Sequence, residues 1–209
     1  MFEIIKPMEI EKRSFEMISG ILEEKGIVLD PENEQVIKRV IHTTADFDYA
    51  ENLVFSQNAV RLGIEALKSG CDIVTDTQMA KSGINKTALA KLGGEVHCFM
   101  SDEDVAEEAK ARGITRAAVS MEKAAALDRP LIFAIGNAPT ALIALNGLIV
   151  EGGFMPKLII GVPVGFVNVV ESKELIIASS VPHIVARGRK GGSNVAAAIV
   201  NALLYQITR

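Results

Sequence analysis

The chain has no tryptophan, few aromatic residues and only two cysteines among its 209 positions. Cys71 and Cys98 lie in apolar, strand-like segments, which favours buried free thiols in a reducing compartment over a disulfide. The His and Cys residues lack the close spacings of a metal site, so no resident metal is expected. The sequence also has no Gly-x-Ser-x-Gly elbow and no nucleotide fingerprint.

The chain also lacks an excess of positive charge and a long apolar run. Its net charge of −4 argues against a nucleic-acid binder that works through bulk charge. The apolar runs are interrupted well short of a membrane span, and residues 1–11 carry charges that do not fit a secretion signal. The sequence therefore predicts one cytoplasmic domain over residues 1–209, with no nucleic-acid or membrane partner.

The stretch Arg129–Gly153 organises the rest of the chain. An uninterrupted apolar run, Leu131–Ile135, predicts a strand buried on both faces, and Thr140–Val150 predicts the helix that follows. The turn between them contains Asn137, and its backbone N–H groups at a helix N-terminus suit a carboxylate or a phosphate. A strand–helix unit without a ligand explains the same pattern.

Five strand–helix units follow one another along the chain. This order predicts a three-layer, doubly wound α/β domain with a mainly parallel, five-stranded, flavodoxin-like sheet. A further short strand is possible at Leu53–Phe55. The five predicted core strands are residues 71–76, 95–100, 131–135, 157–162 and 181–188.

Two N-terminal helices carry three polar candidates for a site. Ser14 lies in the middle of the first helix, Pro7–Lys25, where a surface position is the ordinary explanation. In the second helix, Pro31–Ala45, Arg39 and His42 lie on the face opposite the apolar stripe. This face is either exposed to solvent or lines a cleft or a subunit interface, where the imidazole could act as a general acid. The loop that follows, with Asp46 and Asp48, either orients His42 or is simply solvated.

The remaining candidates follow the predicted strands. Met79 comes after the first core strand, where either packing or ligand contact explains it. Arg116 lies in the first turn of a helix, where a cation opposes the helix dipole. Three cations and two adjacent glycines precede the last helix and form the best anion-binding signal of the chain, with a basic surface turn as the alternative. The residues that carry this signal are Arg187, Arg189, Lys190, Gly191, Gly192 and Ser193.

Several segments together resemble the precorrin-8X methylmutase family of cobalamin biosynthesis, which includes cobalt-precorrin-8 enzymes. The most specific are GNAPTAL (136–142), GVPVGFVNVVESK (161–173) and ARGRKGGS (186–193). The others are KRSFEMI (12–18), VIKRVIHTTAD (36–46) and TDTQMAKSGI (75–84), and all six occur in family order.

The resemblance implies an isomerase that moves a methyl group from C-11 to C-12 of a corrin precursor, giving hydrogenobyrinate or cobyrinate. It implies a homodimer with active sites near the subunit interface, no separate cofactor, and possible handover of product to the next enzyme. The catalytic histidine of the family falls on His42, and its substrate-binding serine and arginine fall on Ser14 and Arg39.

A corrin precursor carries many carboxylates, so we expect scattered cations around it rather than one phosphate cradle. We expect His42 to act as the general acid, without a side-chain nucleophile. Two alternatives stay open: a catalytically silent tetrapyrrole carrier, and an α/β enzyme that binds a nucleotide or sugar phosphate at residues 187–193. The apolar tail of the last helix (194–206) gives weak support for a dimer.

Overall fold

A computed structural model describes residues 6–208 of the chain, which form an α/β fold built on one mixed sheet. Its strands are β1 (Leu53–Phe55), β2 (Asp72–Thr75), β3 (Val96–His97), β4 (Leu131–Ile135), β5 (Leu158–Gly161) and β6 (His183–Ala186). Its helices are α1 (Pro7–Glu24), α2 (Glu34–Thr44), α3 (Tyr49–Asn52), α4 (Ala59–Lys68), α5 (Gln78–Gly83), α6 (Lys86–Ala90), α7 (Glu103–Arg112), α8 (Arg116–Ala125), α9 (Pro139–Gly152), α10 (Val169–Ile177) and α11 (Ser193–Thr208).

The sheet has six strands in the order β1-β6-β5-β4-β2-β3. The neighbouring pairs β3–β2, β2–β4, β4–β5 and β5–β6 are parallel. Strand β1 pairs antiparallel with β6. The predicted five-stranded sheet is therefore wrong in its number of strands, because the possible short strand β1 extends it. This pairing leaves β6 inside the sheet and makes the short β1 its edge.

Helices cover both faces of the sheet, so its strands are buried from two sides. In β4, Ile132 and Ala134 point into one core, while Leu131, Phe133 and Ile135 point into the other. This alternation explains why the strand is an uninterrupted apolar run: each face needs its own set of apolar side chains. The strand has the bounds that the sequence predicts.

One predicted strand differs from the structure. The strand expected over residues 95–100 is only Val96–His97, because it is an edge strand that leaves the sheet where the His97 carbonyl accepts the Thr75 hydroxyl at 3.2 Å. The segment after β2 continues into the short helix α5, which Thr77 caps by accepting the N–H of Ala80 at 3.0 Å.

Helix α11 is the central helix of its layer rather than an exposed tail. It packs against α2, α4 and α5, and its apolar side chains are buried. Residues 194–206 are thus apolar because they pack in the core of the subunit. Their apolar character therefore does not indicate a dimer. None of the helices within residues 6–208 combines the length and the apolar character needed to cross a bilayer.

At the carboxyl edge of the sheet, the turn after β4 touches the start of α11. A Cβ at Gly136 would lie 2.6 Å from the Ser193 Cα and 2.8 Å from the Gly192 carbonyl oxygen. Only glycine permits this approach of two backbones, which brings the loops after β4 and β6 together.

We expect Gly136→Ala to lower the free energy of unfolding by about 1–3 kcal/mol, because the added methyl group forces two backbones apart. The expected drop in Tm is about 2–4 °C per kcal/mol for a chain of this size. Gly147→Ala is the matched control: nothing lies within 4 Å of its Cβ position in α9, so it should stabilise by about 0.5–1 kcal/mol. Equal Tm values for the two variants would contradict the close approach.

Candidate active site

The outer face of α2 holds the imidazole that the sequence singles out. Val36, Ile37, Val40 and Ile41 are buried, whereas His42 is exposed in the last turn of the helix. Its ring stacks on Phe15 of α1, with ring centroids 5.4 Å apart and planes at 23°. Within residues 6–208, the imidazole nitrogens have no hydrogen-bond partner, so they are available to a ligand.

Ser14 and His42 lie together in one cleft between α1 and α2, with a volume of about 320 Å³. The Ser14 hydroxyl donates to the Ile10 carbonyl at 2.9 Å, which leaves its oxygen able to accept a hydrogen bond. The rest of the lining is mostly apolar: Met17, Ile18, Ile21, Ile41, Ala45 and Phe47. The cleft thus combines an unpartnered imidazole with apolar walls.

Arg39 lies one turn before His42 and is half-buried. Its guanidinium carbon lies 4.7 Å from the Phe15 ring centroid and 5.2 Å from that of Tyr205, and it forms an ion pair with Glu11. Two aromatic rings and a carboxylate therefore fix its position. A substrate carboxylate would have to share this guanidinium with Glu11.

The loop after α2 is joined to the loop between β6 and α11. The Lys190 ammonium donates to the carboxylates of Asp46 and Asp48, at 2.6 Å each. This contact holds the pKa of Asp46 below its usual range. The two acids pair with Lys190 rather than with His42, so the structure does not show the alternative in which this loop orients the imidazole.

We call residues Arg187–Lys190 the cation loop. The Arg187 side chain is neutralised by Glu174, to which its Nε and Nη2 donate at 2.8 and 3.0 Å. Arg189 is exposed, and its guanidinium carbon lies 5.9 Å from the Phe166 ring centroid. No carboxylate among residues 6–208 lies within ion-pair distance of Arg189, which makes it the better placed of the two for a ligand.

Lys173, which the sequence reasoning did not single out, holds the cation loop from below. It is fully buried in α10, and its ammonium donates to the carbonyls of Gly188 and Lys190 at 2.7 and 2.8 Å. Burial lowers the pKa of this ammonium from its ordinary 10.5 to about 8. In the sequence, Lys173 is marked by its place among apolar residues of a helix and as the last residue of the family-like segment 161–173.

The Gly191-Gly192-Ser193 turn packs closely against the segment after β5, and its role in binding an anion stays a prediction. A Cβ at Gly191 would lie 2.1 Å from the Val162 carbonyl oxygen, and the Gly192 N–H donates to that oxygen at 2.9 Å. The Ser193 hydroxyl lies 2.8 Å from that of Thr77. The glycines thus allow a close backbone approach, and contacts within the chain take these polar groups.

The turn after β4 is also occupied from within. The buried Asp76 carboxylate accepts the N–H groups of Gly136, Asn137 and Ala138 at 2.8, 2.8 and 2.6 Å. Burial raises the pKa of Asp76, while the three donors oppose this by stabilising the carboxylate. These three N–H groups are therefore not available to a ligand, whereas the Asn137 side chain is exposed and could meet one.

Met79 and Arg116 lie on the same edge of the sheet, both exposed. Met79 is in the first turn of α5, just after β2. Arg116 opens α8, and the preceding Thr115 hydroxyl donates to the Thr140 hydroxyl at 2.9 Å, beside the start of α9. No ion pair of Arg116 is found within residues 6–208, so it stays a candidate for binding an anion.

Both cysteines lie within the described residues, for which the sequence predicts free thiols and no metal site. Cys71 and Cys98 are both buried and free, and burial raises the pKa of the Cys71 thiol to about 12. Residues 6–208 contain no group of three His, Cys, Asp or Glu side chains placed to hold a metal ion.

We expect Lys173→Met to destabilise the fold, and the difference from the parent chain to grow as pH rises. Since the pKa of Lys173 is lower in the folded than in the unfolded chain, the unfolded chain binds more protons between pH 8 and 10.5. The parent chain therefore gains up to about 3 kcal/mol across that window, and the variant lacks this gain. Urea unfolding at pH 7.5 and pH 10 measures it; a difference that is constant or shrinks would contradict the burial of the ammonium.

Comparisons with known proteins agree with one another over nearly the whole chain. The precorrin-8X methylmutase family model matches residues 9–206. A cobalt-precorrin-8 methylmutase of Salmonella typhimurium is 48% identical, with 99% of both chains covered, and one of Priestia megaterium is 47% identical over 95% of this chain and 88% of its own.

A solved structure, that of a precorrin-8x methyl mutase from Thermus thermophilus, shares the fold. It superposes with a TM-score of 0.83 at 37% identity, and the alignment covers 96% of this chain and 98% of that one. With a family model that spans almost the whole sequence and relatives that match it nearly end to end, the chain belongs to the precorrin-8X methylmutase family.

Proposed function

We propose that the chain catalyses the methyl shift from C-11 to C-12 that converts cobalt-precorrin-8 or precorrin-8X to cobyrinate or hydrogenobyrinate. Members of its family are isomerases that transfer a methyl group within one molecule. The observation that carries the proposal in this chain is the imidazole of His42, unpartnered within residues 6–208, beside Ser14 in an apolar cleft. A conjugated macrocycle can bury part of an apolar face there while its polar rim stays outside.

His42 is the general acid in this proposal. It lies in the last turn of α2, the end of a helix that stabilises a cation, and histidine is the side chain that most readily exchanges a proton near neutral pH. Protonation by His42 makes the conjugated ring electron-poor. The methyl group then migrates, with its bonding pair, from C-11 to the adjacent C-12. Loss of one proton from the ring restores neutrality, so that the product is an isomer of the substrate.

Binding would depend on cations spread around the macrocycle. The Ser14 hydroxyl can donate to one carboxylate if it turns away from the Ile10 carbonyl, and Arg39 can pair with another by sharing with Glu11. Arg116 and Arg189 have no acid partner among the described residues and extend this set along the edge of the sheet. Arg187 belongs to it only if the substrate displaces Glu174, and the exposed Met79 and Asn137 side chains complete the rim.

We also propose that the chain acts as a homodimer in the cytoplasm, without a separate cofactor. Ile10, Ser14 and Met17 lie along one stripe of α1, and the two apolar side chains are 51% and 53% exposed. A second subunit on this stripe would close the cleft that contains His42 and exclude water from it. Handover of the product to the next pathway enzyme remains compatible with this arrangement.

The cobalt-containing substrate is the better proposal of the two. The two relatives at 48% and 47% identity are both named cobalt-precorrin-8 methylmutases, whereas the solved precorrin-8x enzyme is 37% identical. The cobalt would arrive as part of the substrate. Assays with cobalt-precorrin-8 and with precorrin-8X, run side by side, distinguish the two forms.

We expect His42→Ala to lower turnover by roughly a hundredfold to ten-thousandfold, the usual contribution of a general acid. Product should still bind, because the cations and the apolar walls remain. Turnover is measured by the absorption change of the ring, and binding by titration with hydrogenobyrinic acid. Thr43→Ala is the matched control. Thr43 is the exposed neighbour of His42, and its hydroxyl donates to the Arg39 carbonyl of the same helix.

Three outcomes would count against parts of this proposal. Full turnover by His42→Ala would remove the imidazole from the chemistry. Loss of product binding in that variant would make His42 a binding residue first. Binding without any turnover by the parent chain on either substrate would favour the silent tetrapyrrole carrier.

A further inference from the structure

The loop that follows β5 exposes large apolar side chains. We call residues 163–168, with the sequence PVGFVN, the apolar loop. Phe166 is 83% exposed and Val167 is 79% exposed, and Val164 is also exposed. Single exposed apolar residues are ordinary, but three within four positions form a patch that typically marks a binding surface.

The conformation of the apolar loop is fixed by contacts on both sides. Pro163 and Val169 are buried, and the Gly165 N–H donates to the Arg189 carbonyl at 3.2 Å. Gly165 has φ of +144°, a conformation that glycine adopts readily, and Asn168 has φ of +57° as the residue before α10. The exposure of Phe166 and Val167 is therefore imposed by an ordered backbone.

The apolar loop lies beside the one side chain of the cation loop that has no acid partner among residues 6–208. Arg187 pairs with Glu174, and Lys190 pairs with Asp46 and Asp48. The Arg189 guanidinium instead lies 5.9 Å from the Phe166 ring. An aromatic surface and an available cation thus stand next to each other.

The apolar loop and Arg189 are also linked to the face of α2 that carries His42. Lys190 follows Arg189 directly, and its acid partners lie four and six residues beyond His42. Lys173 fixes the cation loop from below by binding the carbonyls of Gly188 and Lys190. The apolar loop and the face of α2 that carries His42 are therefore held in one arrangement.

We propose that Phe166 and Val167 receive an apolar face of the corrin macrocycle, while Arg189 pairs with a carboxylate on its rim. This inference rests on the proposed function and assigns it two residues outside the cleft between α1 and α2. Few ligands combine a flat conjugated surface with several peripheral carboxylates, and the patch offers one complement to each feature. A second subunit is the other possible occupant, but it would leave Arg189 needing an acid from the partner.

The lack of tryptophan in the chain allows a direct test. Phe166→Trp makes a single-tryptophan protein with its fluorescent reporter in the patch. Val150→Trp is the matched control, because Val150 is 73% exposed near the end of α9, at the opposite edge of the sheet. Acrylamide quenching of each variant is measured with and without saturating hydrogenobyrinic acid, and sedimentation velocity is recorded for both.

We expect the product to lower the quenching constant of the Phe166→Trp variant severalfold and to leave that of the Val150→Trp variant unchanged. Phe166→Ala should weaken product binding by about tenfold, and Phe166→Leu by less, as expected for loss of an aromatic contact. Sedimentation of Phe166→Ala should match that of the parent chain.

The results that overturn the inference are separable from failure of the proposed function. If the parent chain binds product but the indole of Phe166→Trp stays fully quenchable, the apolar loop does not contact the ligand. If that indole is shielded before product is added and becomes quenchable on dilution, the loop is a subunit contact. If the parent chain binds no corrinoid at all, the proposed function fails, and this inference fails with it.

Discussion

The buried carboxylate of Asp76 accepts three backbone N–H groups from the turn between β4 and α9, and the carboxyl edge of the sheet is built around this contact. In open α/β sheets such N–H groups commonly face the crevice where an anionic ligand binds. Burying a carboxylate costs several kcal/mol, and each hydrogen bond to it returns about 1.5–3 kcal/mol, so three donors offset much of that cost. Because an internal group fills this position, the turn after β4 cannot offer these three N–H groups to a substrate, and side chains around it become the candidates for binding.

The basic side chains near the carboxyl edge of the sheet are of two kinds: some hold the fold together, and others remain available to a ligand. The chain carries a net charge of −4, so a substrate with many carboxylates gains nothing from the overall charge and depends on local cations. Lys173 and Lys190 are committed to carbonyls and carboxylates of the chain. The exposed pair of Arg187 with Glu174 contributes only about 0–1 kcal/mol, so a substrate carboxylate could replace Glu174 at little cost. Arg189 could pair with a substrate carboxylate without displacing an acid of the described residues.

The sequence predicts best where burial alone decides the structure. The bounds of β4 are correct because a strand buried on both faces must be apolar throughout, and the exposed face of α2 follows from the helical period. The prediction fails at the edge strand β3, where only two of the six residues predicted to form a strand are paired. Gly191 and Gly192 show a second limit: glycines before a helix suit either an anion or a close backbone contact, and nothing local reveals the Val162 carbonyl. The facing of His42 was predictable from its spacing, but its expected role came from the family resemblance.

Two groups among the exposed apolar side chains cannot be covered by α11, because its apolar residues are already used in the core. One group is on α1, around Ile10 and Met17, and the other is the apolar loop with Phe166 and Val167. Helix α1 packs mainly on α2 and stands at the outside of its layer, which makes it the element that a second subunit can reach most easily. The apolar loop instead follows a central strand and lies beside an available guanidinium, which suits a charged, flat ligand better than a protein surface. On this reasoning a second subunit would meet α1 beside the cleft that contains His42, and the ligand would extend from that cleft to the apolar loop. The ion pair of Lys190 with Asp46 and Asp48 keeps α2 and the cation loop in register.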